Sequence, residues 1–431
     1  MNQYTMKSSH RNLLFGAMGI GLVCLILTWL SDDAHHTRFW TNFLHNSVFF
    51  TMISAMALFF ITASITAYAG WYTTFKRVWE AFSMFLIIGL VLLAIVGLGN
   101  YMHWHHLYHW ADEAEVAKDT ILKGKASFLN KNWYMGATVI CLGAWAFFAV
   151  KLRSLSLDED KSGNSNYTQH KTMRVYAAAF LPIVGFTSAA LLWQWIMSID
   201  AHWYSTLFAW YATASAFVTM VALTILMIIF LKNNGYFDIV NDNHMHDLGK
   251  FLFAISVFWT YLWFSQFMLI WYANIGEETI YFRERYDNYP ALFFGNLAVN
   301  FLVPFIVLMR NDTKRKFGSV TFVAIIVLIG HWVDYFLMIK PGALINRNHA
   351  LGHGHDHGAE VGHDAAHGAE QAVEHASNFV SGFTMPGLLE IGTFVGFLGL
   401  FAYVSLVVLS KSSLVAKNDP YLEESLHHHV V

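Results

Sequence analysis

LLWQWIMSIDAHWYST, residues 191–206, joins two long apolar runs, 174–199 and 204–231. A bilayer crossing by a helix needs about 20 apolar residues. Two such runs joined by so short a link make a helical hairpin through a membrane. Within the link, Gln194, Asp200 and His202 alternate with Trp193, Trp195, Trp203 and Tyr204. Aromatic rings with a polar tip settle where lipid tails meet water. One reading is therefore a tight interfacial turn with aromatic anchors. The other is a proton-exchanging site, because an aspartate and a histidine are costly at that depth unless paired or wetted.

Working outward, eight more apolar runs of span length appear: 12–30, 41–69, 77–101, 132–152, 249–274, 290–309, 318–339 and 387–410. The runs are too long and continuous for barrel strands, which alternate in polarity. The expected fold is an all-α integral membrane protein with ten transmembrane helices. Spans 2–5 and 6–9 each suggest a four-helix bundle, with spans 1 and 10 as peripheral helices. The expected segments are 1–40, 41–199, 200–339, a His-rich loop 340–386, and 387–431. Pro182 and Pro304 fall inside spans, where a kink is tolerable.

Composition agrees. The chain is 56% hydrophobic and only 13% charged, against about 25% charge in soluble domains. A net charge of −3 argues against nucleic acid as a partner. Cys24 and Cys141 lie in separate apolar runs. Two isolated cysteines exclude a CxxCH haem attachment and an iron–sulfur cluster supplied wholly by this chain. The run 12–30 ends in TWLSDD rather than at a small-residue cleavage site, and is read as a retained first span. With the N-terminus placed in the cytoplasm, 17 Lys and Arg fall inside and nine outside. The positive-inside rule then puts both termini inside.

Three connections stand out. Residues 102–131 begin HWHHLYHW at His103; residues 153–171 are rich in Ser, Asp and Asn and read as a solvated link. Residues 340–386 carry seven histidines between His349 and His375, diluted by Gly, Ala and acids. That tract reads as a solvated, composition-biased loop, with loose metal binding as the rival, and no metal site is assigned.

Ionisable groups inside a span or at its end default to a functional hypothesis. Glu80 starts span 3 and Asp247 precedes span 7. His331 and Asp334 are three apart on span 9, hence on one helix face, where the acid can orient the imidazole. These four are a candidate proton path, with Gln266, Asn300 and Ser265 as bridging groups. Acids at helix N-termini that merely offset the dipole are the rival account. Asp200 and His202 are candidates for a quinol-side site. Paired haem ligation needs facing histidines at similar depth; His331 is the deepest, and His45 is expected near the opposite end of its span.

Two segments go further. WQWIMSIDAHWYSTLFAWY (193–211) and HDLGKFLFAISVFWTYLWFSQFMLIWYANIGEET (246–279), with RVWEAF (77–82), resemble the quinol-oxidoreductase membrane subunits of the NrfD/PsrC-like family. The resemblance is closest to the membrane subunits of bacterial alternative complex III, and among these to the shorter, ActF-type subunit. It implies two four-helix bundles and no redox cofactor of the chain's own. Its implied partners are a related quinol-binding membrane subunit, an iron–sulfur subunit, multihaem c-type cytochrome subunits and a terminal oxidase. It implies a bacterial cytoplasmic-membrane complex that oxidises menaquinol, passes electrons to cytochrome c or an oxidase, and conducts protons through the bundles. The quinol-binding relative carries a GxGHAGT-like motif in its second span; the matching place here, FFTMISAMA (49–57), has no histidine. That departure weighs against quinol oxidation by this subunit, not against membership of the complex. The alternatives are a quinol pocket of its own near Asp200 and His202, and a stand-alone secondary transporter.

Overall fold

The computed structural model describes residues 3–162, 167–351 and 380–429. Ten helices are long and apolar enough to cross a membrane. They are α1 (Ser8–Leu30), α2 (Thr37–Thr66), α3 (Lys76–Tyr101), α4 (Lys131–Ser162), α5 (Thr168–Ile199), α6 (Thr206–Asn233), α7 (Asp242–Ala273), α8 (Pro290–Leu308), α9 (Phe317–Ala350) and α10 (Leu388–Ser410). Among the described residues there are two isolated β-bridges and no strand. One bridge, Gln3 to Ser413, places both chain ends on one face, the terminal face. Residues 102–130, the turn after α5, and a connecting helix, Gly276–Asn288, lie on the opposite or far face.

Helices α2 to α5 pack in a ring, and α6 to α9 pack in a second ring. The rings share a wall in which α2 touches α6 and α9, and α5 touches α6. The wall explains why α2 and α6 are the most enclosed spans, 89% and 78% buried, whereas α1 is 11% buried. Outside the rings, α1 pairs with α10, and α10 rests on α2 and α3. Small residues let these two backbones approach. A Cβ on Gly21 would fall on the Gly396 backbone, and one on Gly399 would meet Ala17 Cβ at 2.9 Å. Without water to expel between lipid-bathed helices, such close van der Waals packing drives pairing.

Several boundaries differ from expectation, each for a physical reason. Helix α4 runs on to Ser162, so residues 153–162 are not a solvated link. Arg153, Ser156 and Glu159 on one face of that extension are buried. Helix α7 begins at Asp242 rather than 249, because Asn241 and His244 form a capping box. Asp247 is therefore within the helix, not before it.

The largest difference is at α9, which passes through Pro341 to Ala350 instead of ending at 339. A proline leaves the carbonyl four residues back without its amide partner, here that of Leu337. Arg285 fills the gap: its Nε donates to Leu337 O at 2.9 Å and its Nη2 to Met338 O at 3.3 Å.

The turn 191–206 is less interfacial than its aromatics suggest. Trp195 is fully buried and donates to Thr138 Oγ1 at 2.9 Å. Trp203 is buried against Tyr281, with ring centroids 3.9 Å apart. Tyr204 alone of the four aromatics is largely exposed. His45, expected at another depth from His331, stacks on Trp332, the next residue to His331, and bonds to its carbonyl at 3.0 Å. It approaches α9 from the α2 side.

Candidate functional site

The second ring closes around one carboxylate. Asp334 on α9 is fully buried and takes hydrogen bonds from the other three helices of its ring. Tyr211 and Ser215, one turn apart on α6, donate from their hydroxyls, Ser215 at 2.8 Å. Trp259 Nε1 on α7 donates at 3.0 Å, and Asn296 Nδ2 on α8 at 2.7 Å. Four donors match the acceptor positions a carboxylate offers. Satisfying each of them offsets much of the cost of burying an acid.

His331 lies one turn before Asp334 on the same face, as the sequence spacing required. Its Nδ1 is 3.8 Å from Asp334 Oδ2 but 2.9 Å from Ser215 Oγ. The serine hydroxyl therefore sits between acid and imidazole. His331 Nε2 is buried with no hydrogen-bond partner among the described residues. Asn300 donates to Asn296 Oδ1 at 2.6 Å. Here α8 widens into a π-helical turn, Ala298–Leu302, just before Pro304. Such single-turn widenings often mark functional positions. Gly330 makes room: a Cβ there would strike Asn300 Oδ1.

Towards the far face, a cavity of about 20 Å³ is lined by Tyr211, Gln266, Tyr281, Arg285 and Asn296 among others. That volume holds roughly one water, which needs two to four polar partners. Gln266 Nε2, buried without a partner among the described residues, is one candidate partner. Beyond the cavity, Arg285 Nη2 pairs with Asp200 Oδ2 at 3.1 Å, and the guanidinium lies over the Tyr281 ring. Burial pushes the Asp200 carboxyl above its ordinary range, and the pull of Arg285 does not fully offset it. Polar groups thus run from Asp200 through Arg285 and the cavity to Asp334 and His331. Towards the terminal face the run thins. Ser256 and His246 on α7 are ten residues apart, about 15 Å of helix rise.

The structure brings together only some of the sequence candidates. His331 and Asp334 share a site. Asp247 lies on the same ring at the terminal face, 3.0 Å from Lys250 and 2.5 Å from His428. Glu80 belongs to the other ring. It is held by Arg77 at 2.6 Å, Arg153 at 3.3 Å and Ser156 at 2.7 Å, and Arg77 also reaches Asp160. Asp200 and His202 part company. Asp200 turns inward to Arg285, while exposed His202 pairs with Asp119 at 2.5 Å. Burial raises the Asp119 carboxyl, but His202 and the amides of Leu122 and Ile121 outweigh it and hold it below the usual range. Asn300 joins the Asp334 site, and Gln266 lines the cavity. The histidines of the tract from His353 to His375 lie outside the described residues.

Sequence reading missed Arg285, Tyr211, Ser215, Trp259 and Asn296 as site residues. In the sequence Arg285 is one of the nine outside Lys and Arg, a charge in a connection between spans. A signal was available in the Lys340-Pro341-Gly342 run, since a proline inside a long apolar helix leaves a carbonyl seeking a donor. A metal-ligand set was missed as well. Glu159, His170 and Asp419, all buried, bring ligand atoms within 4.8 Å of one another. No family model and no curated protein sequence matches the chain.

Proposed function

We propose that the chain is a membrane subunit of a menaquinol-oxidising respiratory complex of the alternative complex III type, and that its second ring handles protons at Asp334. The observation that carries this reading is where the two family-like segments meet. Segment 193–211 supplies Tyr211, segment 246–279 supplies Trp259, and both donate to Asp334. In this reading electrons travel through haem c and iron–sulfur clusters of partner subunits towards cytochrome c or an oxidase. This chain brings no redox group of its own. It sits in a bacterial cytoplasmic membrane with both termini inside.

The residues suit a proton relay. A water in the cavity would exchange a proton with Asp334 through the Tyr211 hydroxyl, which lines the cavity and donates to Asp334. Ser215 Oγ can accept from a protonated His331 Nδ1 while donating to Asp334, so one hydroxyl rotation links the two. Glu80 takes no part in this relay; its two arginines give it an ion-pairing role in the other ring. A quinol site built jointly by Asp200 and His202 is not proposed, because each side chain is engaged by a different partner.

Purification from native membranes in mild detergent tests the first half. Haem-bearing partners should co-purify; a chain that emerges alone would point to a transporter. For the second half, Asp334→Asn is compared with the parent complex in liposomes. Quinol oxidation in detergent should stay near the parent rate while proton movement falls at least about tenfold, a rise of roughly 1.4 kcal/mol in the barrier. Parent-like acidification by an assembled Asp334→Asn complex would sink the proton role.

A further inference from the structure

We infer that Glu159, His170 and Asp419 bind one divalent cation of the zinc class, which pins the C-terminal tail to the terminal end of the first ring. Glu159 lies in the last turn of α4, His170 in the first turn of α5, and Asp419 in the tail that follows α10. They are 0%, 4% and 6% exposed. Three elements far apart in sequence thus converge on one buried point.

Two observations point to a cation there. First, His170 is buried, yet neither ring nitrogen has a hydrogen-bond partner among the described residues. An unsatisfied buried imidazole is unfavourable, and a metal bond would remove that cost. Second, His170 Nδ1 stands 3.4 Å from Glu159 Oε1. That is long for a hydrogen bond, which spans about 2.7–3.2 Å. It matches the distance between two ligands on a tetrahedral zinc, about 3.3–3.4 Å for bonds near 2.0–2.1 Å. One nitrogen and two carboxylate donors suit zinc or a neighbouring first-row ion.

The surrounding charge is consistent. Lys76, Arg77 and Arg153 face Glu80, Glu159, Asp160 and Asp419, three cationic groups against four anionic ones. Lys76 Nζ donates to Asp419 Oδ2 at 2.7 Å and the Tyr421 amide to Oδ1 at 3.1 Å. These bonds orient the carboxylate as outer-shell partners orient metal ligands, and leave lone pairs for the ion. Asn418, beside Asp419, bonds the carbonyls of Glu159 and Asp160 at 3.2 and 3.0 Å. The cation would complete an attachment already begun by the Asn418 side-chain amide.

The test uses the full chain, with the histidines between 353 and 375 changed to Ser so that the tract does not compete. The protein is stripped with chelator, loaded with Co²⁺ and dialysed. The expected result is one more retained Co²⁺ per chain in this parent than in His170→Ala, with visible d–d bands in the parent alone. His170→Cys guards against a misfolded alanine variant. It should keep the ion and add a cobalt–thiolate charge-transfer band, which only direct ligation produces. Equal cobalt in parent and His170→Ala, or no thiolate band in His170→Cys, would overturn the site.

Discussion

Arg285 shows how much one side chain can decide. It pairs with Asp200, fills the Leu337 carbonyl freed by Pro341 and that of Met338 beside it, and borders the cavity near Asp334. Gly342 is needed beside it, since a Cβ there would lie 2.6 Å from Asp200 Oδ1. Asp200→Asn strands a buried guanidinium and should cost about 3–5 kcal/mol. Gly342→Ala should displace the same carboxylate, so the two changes together should cost less than their sum. Thermal unfolding in detergent measures all three variants, and full additivity would mean that Gly342 does not act through Asp200. A second acid gives a pH signature. Asp33, in the loop before α2, accepts from Arg347 Nε at 2.6 Å. Burial pushes its carboxyl up, but Arg347 and the amides of Thr37 and His35 outweigh that and hold it below the ordinary range. A lowered folded value means stability present above the unfolded pKa, about 3.9, and lost as pH falls through the folded one. Melting curves between pH 5 and about pH 3 should therefore fall less steeply for Asp33→Asn than for the parent. Identical slopes would remove Asp33 from the account.

Among the elements, the α1–α10 pair is the most exposed to a single change. Its contact is backbone against backbone at Gly21 and Gly396, so no side chain can give way. Gly21→Ala should cost about 1–3 kcal/mol through overpacking. Gly19 on the same helix has nothing within 4 Å of a new Cβ, and Gly19→Ala should be neutral or slightly stabilising. If the two variants melt alike, the small-residue seam is not what holds the pair. The helices themselves were legible from apolar run length. Their ends were not, at α4, α7 and α9. In each case buried polar groups continue the helix past the apolar run: Arg153 and Glu159 on α4, His244 and His246 on α7, Lys340 on α9. A hydropathy count stops at the first such residue. Packing carries on because the residue has found a partner, as Lys340 has in Asn42 Oδ1 at 2.7 Å.

For the molecule as a whole, the Lys and Arg asymmetry predicts that the far face lies outside the cell. A cysteine placed at Glu284, in a chain lacking Cys24 and Cys141, should react with an impermeant thiol reagent in intact cells. Reaction only after lysis would invert the topology. The sequence by itself determined that this is a ten-span helical membrane protein and where the apolar centre of each span lies, because hydropathy over about 20 residues is a local property that the bilayer reads directly. It also placed His331 and Asp334 on one face, because helical periodicity is local too. Only the tertiary structure decided that Tyr211, Ser215, Trp259 and Asn296 close on Asp334, that Glu80 belongs to the other ring, and that Asp200 leaves His202 for Arg285. Those pairings depend on how each helix is rotated about its axis and which neighbour it meets. Rotation is set by side chains packing across segments tens to hundreds of residues apart, and nothing within one apolar run records it.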